Sequence, residues 1–345
     1  MFQLTQTSHQ IVFFIIICLS SILLTQLLAR YAEKLNLMDV PSERKNHGAV
    51  TPLVGGLAIY LVLVTSLPFF TLPEKLYWLL LSSSILVLIG AVDDAISLGV
   101  RLRFLAQIVA TLIMIVASDL WISSLSIIEI PAFIGVPFTI LAVVGLTNAF
   151  NLADGIDGLS SGQMLLGLLN LTIASYAFSG EIHQISWLIL LVAAVFGFFL
   201  VNLSFIPKLK AFLGDAGSLL LGFIMSWTLI YYTQKPVGTL DPIIALWCVT
   251  IPVFDTIAVI LGRIRESASL FRPDRTHLHH LFLNIGSSRK KTLRTILLMS
   301  ALANSFGLIV TYLFPSIYSL IIYLLSLITY LIFYFKFKSS ELSYD

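Results

Sequence analysis

Long apolar stretches dominate the sequence, and their length constrains the fold more than any other feature. A transmembrane helix needs about 20 predominantly apolar residues, and eleven stretches reach or approach that length. They run over residues 11–29, 53–72, 76–92, 104–120, 133–150, 161–178, 185–205, 217–233, 242–262, 294–313 and 316–335. Because 58% of the residues are hydrophobic and only 11% are charged, a soluble globule, a disordered chain and a coiled coil are excluded. The sequence predicts an all-α, polytopic integral membrane bundle of about eleven transmembrane helices.

The positive charges are distributed unevenly between the loops. When the loops are assigned alternately to the two sides, 18 of the 20 lysines and arginines fall on one side, and only Lys75 and Lys235 fall on the other. The positive-inside rule makes the first side cytoplasmic, with a periplasmic N-terminus and a cytoplasmic C-terminus. We expect a single multi-pass domain over residues 1–345. Its predicted cytoplasmic loops lie near 30–52, 93–103, 148–160, 206–218 and 263–293.

One segment on the periplasmic side has a different pattern. Residues 121–140 alternate polar and apolar side chains and include Pro131 and Pro137. This alternation predicts a short external hairpin.

Polar residues gather in five segments at the predicted cytoplasmic ends of the helices. The segments are residues 39–56, 90–94, 148–158, 212–218 and 272–280. Because the predicted topology directs all five to the same side, we expect them to form one polar face at the membrane boundary. Such a face suits a reaction in which a lipid phosphate meets a water-soluble substrate, with a metal ion neutralising the phosphates.

Adjacent carboxylates, Asp93 and Asp94, end the third stretch, where the helix dipole is negative. Arg101 and Arg103 could balance them as an ordinary solvated helix end. Metal ligation and proton abstraction are the functional alternatives. Asp215 has two interpretations as well, because it lies at the start of a stretch: it is either a helix N-cap or a ligand of Mg²⁺.

Two asparagines and two aspartates follow one another at three-residue spacings: Asn148, Asn151, Asp154 and Asp157. They share a face if the helix continues, or lie on a loop if the interleaved glycines break it. Their oxygens could coordinate a hard cation or bind a base edge. The alternative is a cluster of Asx turns and helix caps.

Three histidines, His277, His279 and His280, stand among arginines. A zinc site is disfavoured because no cysteine accompanies them. Binding of phosphate oxygens is one interpretation, and attraction to anionic lipid headgroups is the other. Nucleic acid is a poor partner for so few basic residues.

Asp255 lies deeper in its helix, where it could serve function or helix packing.

Three segments carry a family resemblance: NAFNLADGIDGL (148–159), FLGDAGS (212–218) and PDRTHLHHLF (273–282). In this order, and together with GAVDD (90–94), they resemble the bacterial polyprenyl-phosphate N-acetylhexosamine-1-phosphate transferases over roughly residues 30–285. The HLHH quartet favours the N-acetylglucosamine branch over the branch that transfers phospho-MurNAc-pentapeptide. The resemblance implies transfer of GlcNAc-1-phosphate from UDP-GlcNAc to undecaprenyl phosphate, giving UMP, with Mg²⁺ or Mn²⁺ as cofactor.

The resemblance also implies roles for individual residues. Asp215 is the leading metal ligand, helped by Asn151. Asp93 or Asp94 deprotonates or orients the lipid phosphate, and Asp154 belongs to the same catalytic set. The substrates are bound by the remaining residues: Asp157 on the uracil with Phe212 stacked on it, His277, His279, His280 and Arg275 on phosphate oxygens, and Lys45, His47 and Asn148 near the nucleotide.

The resemblance implies a bacterial inner-membrane enzyme whose active site faces the cytoplasm, which starts the synthesis of O-antigen or a related glycan. Membrane lipid, and a second copy in a homodimer, are the further partners. A transporter or flippase is the alternative from another class, although neither an internal repeat nor several deep charges support it. A structural anchor would not gather Asn, Asp and His on one side.

Overall fold

A computed structural model describes residues 2–40, 50–69, 71–180, 185–267 and 276–341. The described residues are almost entirely helical, and eight of their helices are long and apolar enough to cross a membrane. In chain order the helices are α1 (Phe2–Tyr31), α2 (Gly55–Thr65), α3 (Glu74–Ile96), α4 (Val100–Ser118), α5 (Ala132–Ala153), α6 (Leu159–Ser179), α7 (Ile185–Asn202), α8 (Gly214–Thr233), α9 (Ile243–Cys248), α10 (Thr250–Arg265), α11 (Leu278–Asn284), α12 (Arg289–Leu313) and α13 (Ser316–Glu341). The prediction of an all-α membrane protein is confirmed.

Every predicted apolar stretch falls on a helix, but the stretch 242–262 is broken into α9 and α10 at Val249, where the backbone leaves the helical region. Pro252 explains the break, because it has no N–H to donate to the carbonyl four residues earlier. The prediction of one continuous helix there is wrong. The stretch 53–72 holds only the 11-residue α2 and a short 3₁₀ turn, Leu67–Phe69. The total of eleven spanning helices stays a prediction.

The predicted hairpin exists in part. Ser124 and Glu129 form an antiparallel bridge, and the Ile130 N–H donates to the Ser123 carbonyl at 2.7 Å. The hairpin ends at Pro131, because α5 begins at Ala132 and includes Pro137. The alternating pattern ends at Pro131, and the apolar run that follows has the composition of a helix rather than of a strand.

The chain divides into two compact units. Unit 1 is Met1–Asp119 with Ile182–Ile224, and unit 2 is Leu120–Glu181 with Met225–Asp345. In unit 1, α1 packs along α7 and α3 packs along α4. In unit 2, α12 packs against α6, α9 and α10.

The start of α8 lies very close to α2 and α3 in unit 1. The Gly56 N–H donates to the Leu213 carbonyl at 3.0 Å, and a Cβ at Gly56 would overlap the backbone of Gly217. A Cβ at Gly90 would likewise overlap the backbone of Ala216. Small residues allow this close backbone approach, as in other membrane helix pairs. The glycines therefore bring the end of α3 against the start of α8.

A small β-sheet holds Phe212, just before the start of α8. β1 (Met38–Asp39) pairs antiparallel with β2 (Thr51–Pro52), and Leu53 forms a parallel bridge with Phe212. The Phe212 N–H donates to the Pro52 carbonyl at 2.8 Å. This pairing positions Phe212 and the chain that enters α8.

Replacing Gly90 by alanine should destabilise the protein, because the added methyl group meets the Ala216 backbone. Overpacking of this kind costs about 1–3 kcal/mol of unfolding free energy. Gly99→Ala adds the same methyl group where a Cβ meets nothing within 4 Å, so it is the matched control. Thermal unfolding in one detergent compares the variants. Equal melting temperatures for the two would contradict the close contact between α3 and α8.

Candidate active site

Two carboxylates of unit 1 share one arginine. Arg103, in the first turn of α4, donates from Nη1 to Oδ2 of Asp93 at 2.8 Å and to Oδ2 of Asp215 at 3.0 Å. The Asp93 side chain is 5% exposed and that of Asp215 is 31% exposed. Asp93 also accepts the backbone N–H of Leu98 through Oδ1. The structure thus joins the GAVDD and FLGDAGS segments, and Arg103 balances their charge as one interpretation of the sequence predicts.

Asp94 caps α8 from outside that helix. Its Oδ1 accepts the N–H of Asp215 at 2.8 Å, and its Oδ2 accepts the N–H of Ala216 at 3.2 Å. These are the unpaired donors of a helix N-terminus, where a negative charge is favourable. Gly214 has a φ of +72°, and a Cβ there would lie against the Asp94 carboxylate. Asp94 supplies acceptors for two of these donors, and the Asp215 carboxylate, in the first turn of α8, contacts Arg103. The N-cap interpretation of Asp215 stays a prediction.

Arg103 is the member of this cluster that is missing from the predicted catalytic set. A cation at a helix N-terminus is disfavoured by the helix dipole, and Arg103 occupies the first turn of α4. An arginine at this unfavourable position indicates, from the sequence alone, that it has a specific carboxylate partner. The short connection between α3 and α4 then places the arginine within reach of Asp93.

Phe212 precedes the cluster in unit 1. Its ring is partly exposed, and the Lys210 Nζ lies 5.3 Å from the ring centroid. A cation near an aromatic face suits a site that receives anionic substrates.

In unit 2, the Asn–Asp segment is a loop and not a continued helix. Asn148 and Asn151 lie on the last turns of α5, and Asp154 is its C-terminal cap residue. Gly158, just before α6, has a φ of +80°. Glycine adopts this left-handed conformation without strain, so the chain can turn here. Asp157, partly exposed, lies within the loop. Of the two predicted geometries, the loop is the correct one.

The histidine segment packs against this loop. His279 is 2% exposed, and a Cβ at Gly155 would overlap its ring. The His279 and His280 ring centroids are 4.1 Å apart. His277 is 3% exposed, and its Nδ1 lies 2.9 Å from Oδ2 of Asp255. Two of the three rings are thus buried, and His280 is partly exposed.

A short helix, α11, holds two of these histidines and is absent from the predicted helices. It contacts α12 and α13, and the Tyr334 hydroxyl donates to the Thr276 carbonyl at 2.8 Å just before it. Three other predicted site residues, Lys45, His47 and Arg275, lie outside the described residues.

The carboxylates of unit 1 fit a Mg²⁺ ion. Within the described ranges, no group of three or more His, Cys, Asp or Glu side chains is arranged to hold a metal. Mg²⁺ needs only one or two carboxylates when phosphates and water complete its shell. Asp93 and Asp215 already share one cationic group, and Asp215 is the more exposed of the two. Asn151, the predicted second ligand, belongs to unit 2, and its role stays a prediction.

Comparison with known proteins gives consistent matches. The model of glycosyl transferase family 4 matches residues 76–233. The chain is 32% identical to the undecaprenyl-phosphate alpha-N-acetylglucosaminyl 1-phosphate transferase of Escherichia coli (strain K12), over 87% of this chain and 84% of that one. It is 33% identical to the Yersinia pestis protein of the same name, over 81% and 78%. It is 32% identical to a probable enzyme of this kind from Bacillus subtilis (strain 168), over 84% and 81%.

Burial, together with the neighbouring His280 and His277, lowers the pKa of His279 to about 3. The ring is therefore neutral at pH 7. The unfolded chain, with an ordinary pKa of 6.5, takes up this proton first as the pH falls. Since the unfolded state then binds more protons, stability is lost progressively below about pH 6.5 and down to about pH 3.

His279→Gln should remove this part of the pH dependence. Between pH 7.5 and 5.5, the wild-type unfolding free energy should fall by about 1 kcal/mol more than that of the variant. The measurement is denaturant unfolding at a series of pH values. His9→Gln, which changes an exposed histidine of α1, should keep the wild-type slope. Parallel slopes for wild type and His279→Gln would exclude a buried neutral His279.

Proposed function

The chain belongs to glycosyl transferase family 4, and we propose that it transfers GlcNAc-1-phosphate from UDP-GlcNAc to undecaprenyl phosphate. The products are GlcNAc-diphospho-undecaprenol and UMP. The names of its relatives support this donor over UDP-MurNAc-pentapeptide. The observation that carries the proposal is the pair Asp93 and Asp215 on one arginine, beside a helix N-terminus capped by Asp94. Such a cluster is suited to phosphates and a divalent cation.

The reaction exchanges one phosphorus–oxygen bond for another. An oxygen of the lipid phosphate attacks the β-phosphorus of UDP-GlcNAc, and the bond from this phosphorus to the bridging oxygen breaks. The electron pair leaves on UMP. In phosphoryl transfer, the protein contributes mainly positioning and charge neutralisation, and the residues of the cluster provide both.

Asp93 is the carboxylate that we assign to the lipid phosphate. Both oxygens of Asp94 accept backbone N–H groups of α8, whereas one oxygen of Asp93 accepts from the side chain of Arg103. Asp93 shares a flexible arginine side chain, which can exchange partners. If the lipid phosphate carries a proton, Asp93 accepts that proton; if not, Asp93 orients the phosphate oxygens. Arg103 holds an anionic oxygen of the phosphate.

The proposed cofactor is Mg²⁺, with Mn²⁺ as the substitute, held by Asp215 and helped by Asn151. When bound, the ion neutralises phosphate oxygens and makes the phosphorus more open to attack. The remaining predicted roles are part of the proposal: His277, His279, His280 and Arg275 for phosphate oxygens, Asp157 and Phe212 for the uracil, Lys45, His47 and Asn148 near the nucleotide, and Asp154 in the catalytic set.

An apolar cavity in unit 2 supports a lipid acceptor. Its volume is about 590 Å³, and helices α5, α8, α9 and α10 line it. Along α5 it extends from Phe138 to Ala149, which precedes Asn151 by only two residues. A cavity of this size and lining suits the apolar chain of a polyprenyl phosphate.

The proposed location is the bacterial inner membrane, with the reaction on the cytoplasmic side. The distribution of lysine and arginine supports this orientation, because the polar segments follow the same helix ends as the positive loops. A water-soluble sugar nucleotide would meet the lipid phosphate there. The product would start an envelope glycan such as O-antigen.

Asp215→Asn should lower metal-dependent turnover by orders of magnitude, because the substitution removes the charge that holds the cation. The assay is release of UMP from UDP-GlcNAc and undecaprenyl phosphate, with Mg²⁺ titrated. The matched control is Asp119→Asn, at the C-cap of α4, where a φ of +51° also suits asparagine. The control should keep wild-type turnover. Wild-type activity in Asp215→Asn would remove Asp215 from the site.

A further inference from the structure

Asp255 of α10 joins three elements of unit 2 through its carboxylate. Oδ2 lies 2.9 Å from Nδ1 of His277, and Oδ1 accepts the N–H of Leu278 at 2.9 Å. The Tyr330 hydroxyl of α13 also donates to Oδ1, at 3.4 Å. The side chain is 14% exposed. A carboxylate inside a membrane helix is costly, so this set of partners calls for an explanation beyond packing.

His277 has its two ring nitrogens in different settings. Nδ1 faces Asp255, whereas Nε2 is buried and has no hydrogen-bond partner among the described residues. The side chain as a whole is 4% exposed. A buried polar atom without a hydrogen-bond partner destabilises the fold. The protein therefore keeps one nitrogen of a fixed ring available to a ligand.

The carboxylate determines what the ring can offer at Nε2. Because Asp255 has only acceptor oxygens, it keeps a proton on Nδ1 and prevents the ring from turning over. When an anionic oxygen faces Nε2, the ring can carry a second proton there, and Asp255 balances the positive charge. A phosphate oxygen then accepts a hydrogen bond from Nε2–H.

We propose that Asp255 is a positioning residue that fixes the ring and tautomer of His277, so that Nε2 binds a phosphate oxygen of the substrates. The proposal rests on the proposed function. Asp255 itself touches no substrate in this account and acts through His277. Tyr330 and the Leu278 N–H hold the carboxylate in place through its other oxygen, Oδ1.

Asp241 provides a matched control in the same unit. Its Oδ1 accepts the N–H of Ile243 at 3.0 Å, and its Oδ2 accepts the Ser316 hydroxyl. Asp241 thus binds a backbone N–H and a hydroxyl, as Asp255 does, but its hydrogen bonds include no histidine. Loss of a purely structural carboxylate should affect both positions alike.

The experiment is a double-mutant cycle on UMP release, with kcat and KM for UDP-GlcNAc measured separately. Asp255→Asn should lower kcat/KM by about 10–100-fold, as loss of a partner that orients a functional histidine does. In a His277→Gln background, Asp255→Asn should cause no further loss. Asp241→Asn should keep wild-type values. Additive losses from Asp255→Asn and His277→Gln would overturn the proposal.

A second measurement does not depend on turnover. In protein labelled with ¹⁵N-histidine, the signals of His277 are those that disappear in His277→Gln. They should show protonated Nδ1 in the wild type and in Asp241→Asn, and an altered protonation pattern in Asp255→Asn. An unchanged protonation pattern in Asp255→Asn would overturn the proposal for Asp255, whether or not the protein turns over UDP-GlcNAc. Absence of turnover in the wild type, by contrast, would overturn only the proposed function.

A more conservative variant covers the case in which Asp255→Asn does not fold. Asp255→Glu keeps the carboxylate but lengthens the side chain by one methylene group. It should leave Nδ1 protonated and still lower kcat, because the ring is displaced. Wild-type kcat in Asp255→Glu would contradict the requirement for a fixed ring.

Discussion

The contact of Arg103 with Asp93 and Asp215 is the interaction on which the candidate site depends. Three carboxylates lie at the meeting point of α3 and α8 in unit 1, and their mutual repulsion must be balanced. Arg103 neutralises two of them, while the third, Asp94, is stabilised by the N-terminus of α8. Each carboxylate therefore has a local hydrogen-bond partner. Asp215, which is more exposed than Asp93, is the one proposed to bind a cation.

Backbone proximity makes this arrangement rigid. Gly56 and Gly90 allow α2 and α3 to contact the start of α8 so closely that a single added carbon would overlap the neighbouring backbone. Gly155 has the corresponding role in unit 2, where it admits the ring of His279 against the Asn–Asp loop. In both units, glycines allow two polar segments to approach each other closely. Interior packing leaves little freedom for such contacts to shift.

The sequence was sufficient to predict a helical membrane protein, because the length and apolarity of a stretch determine whether it can span a bilayer. It did not reveal the break at Val249, since hydropathy does not register the hydrogen bond that Pro252 cannot make. The helix α11 was missed because its seven residues are shorter than any spanning segment.

The chemistry of the site was predictable by residue type but not by pairing. Asp93, Asp94 and Asp215 stand out as carboxylates at helix ends, yet only the fold shows that Asp94 caps a helix 121 residues away in sequence. Asp255 likewise could serve packing or function until its contact with His277 is seen. Tertiary partners of this kind leave no local signal in a single sequence.

The most direct test is UMP release by the purified protein with undecaprenyl phosphate, comparing UDP-GlcNAc, UDP-GalNAc and UDP-MurNAc-pentapeptide with and without Mg²⁺. We expect UMP from UDP-GlcNAc alone, and only when both the acceptor lipid and the divalent cation are present. UMP from the pentapeptide donor would assign the protein to the cell-wall branch. Absence of UMP with every donor, in protein shown to be folded, would contradict the account.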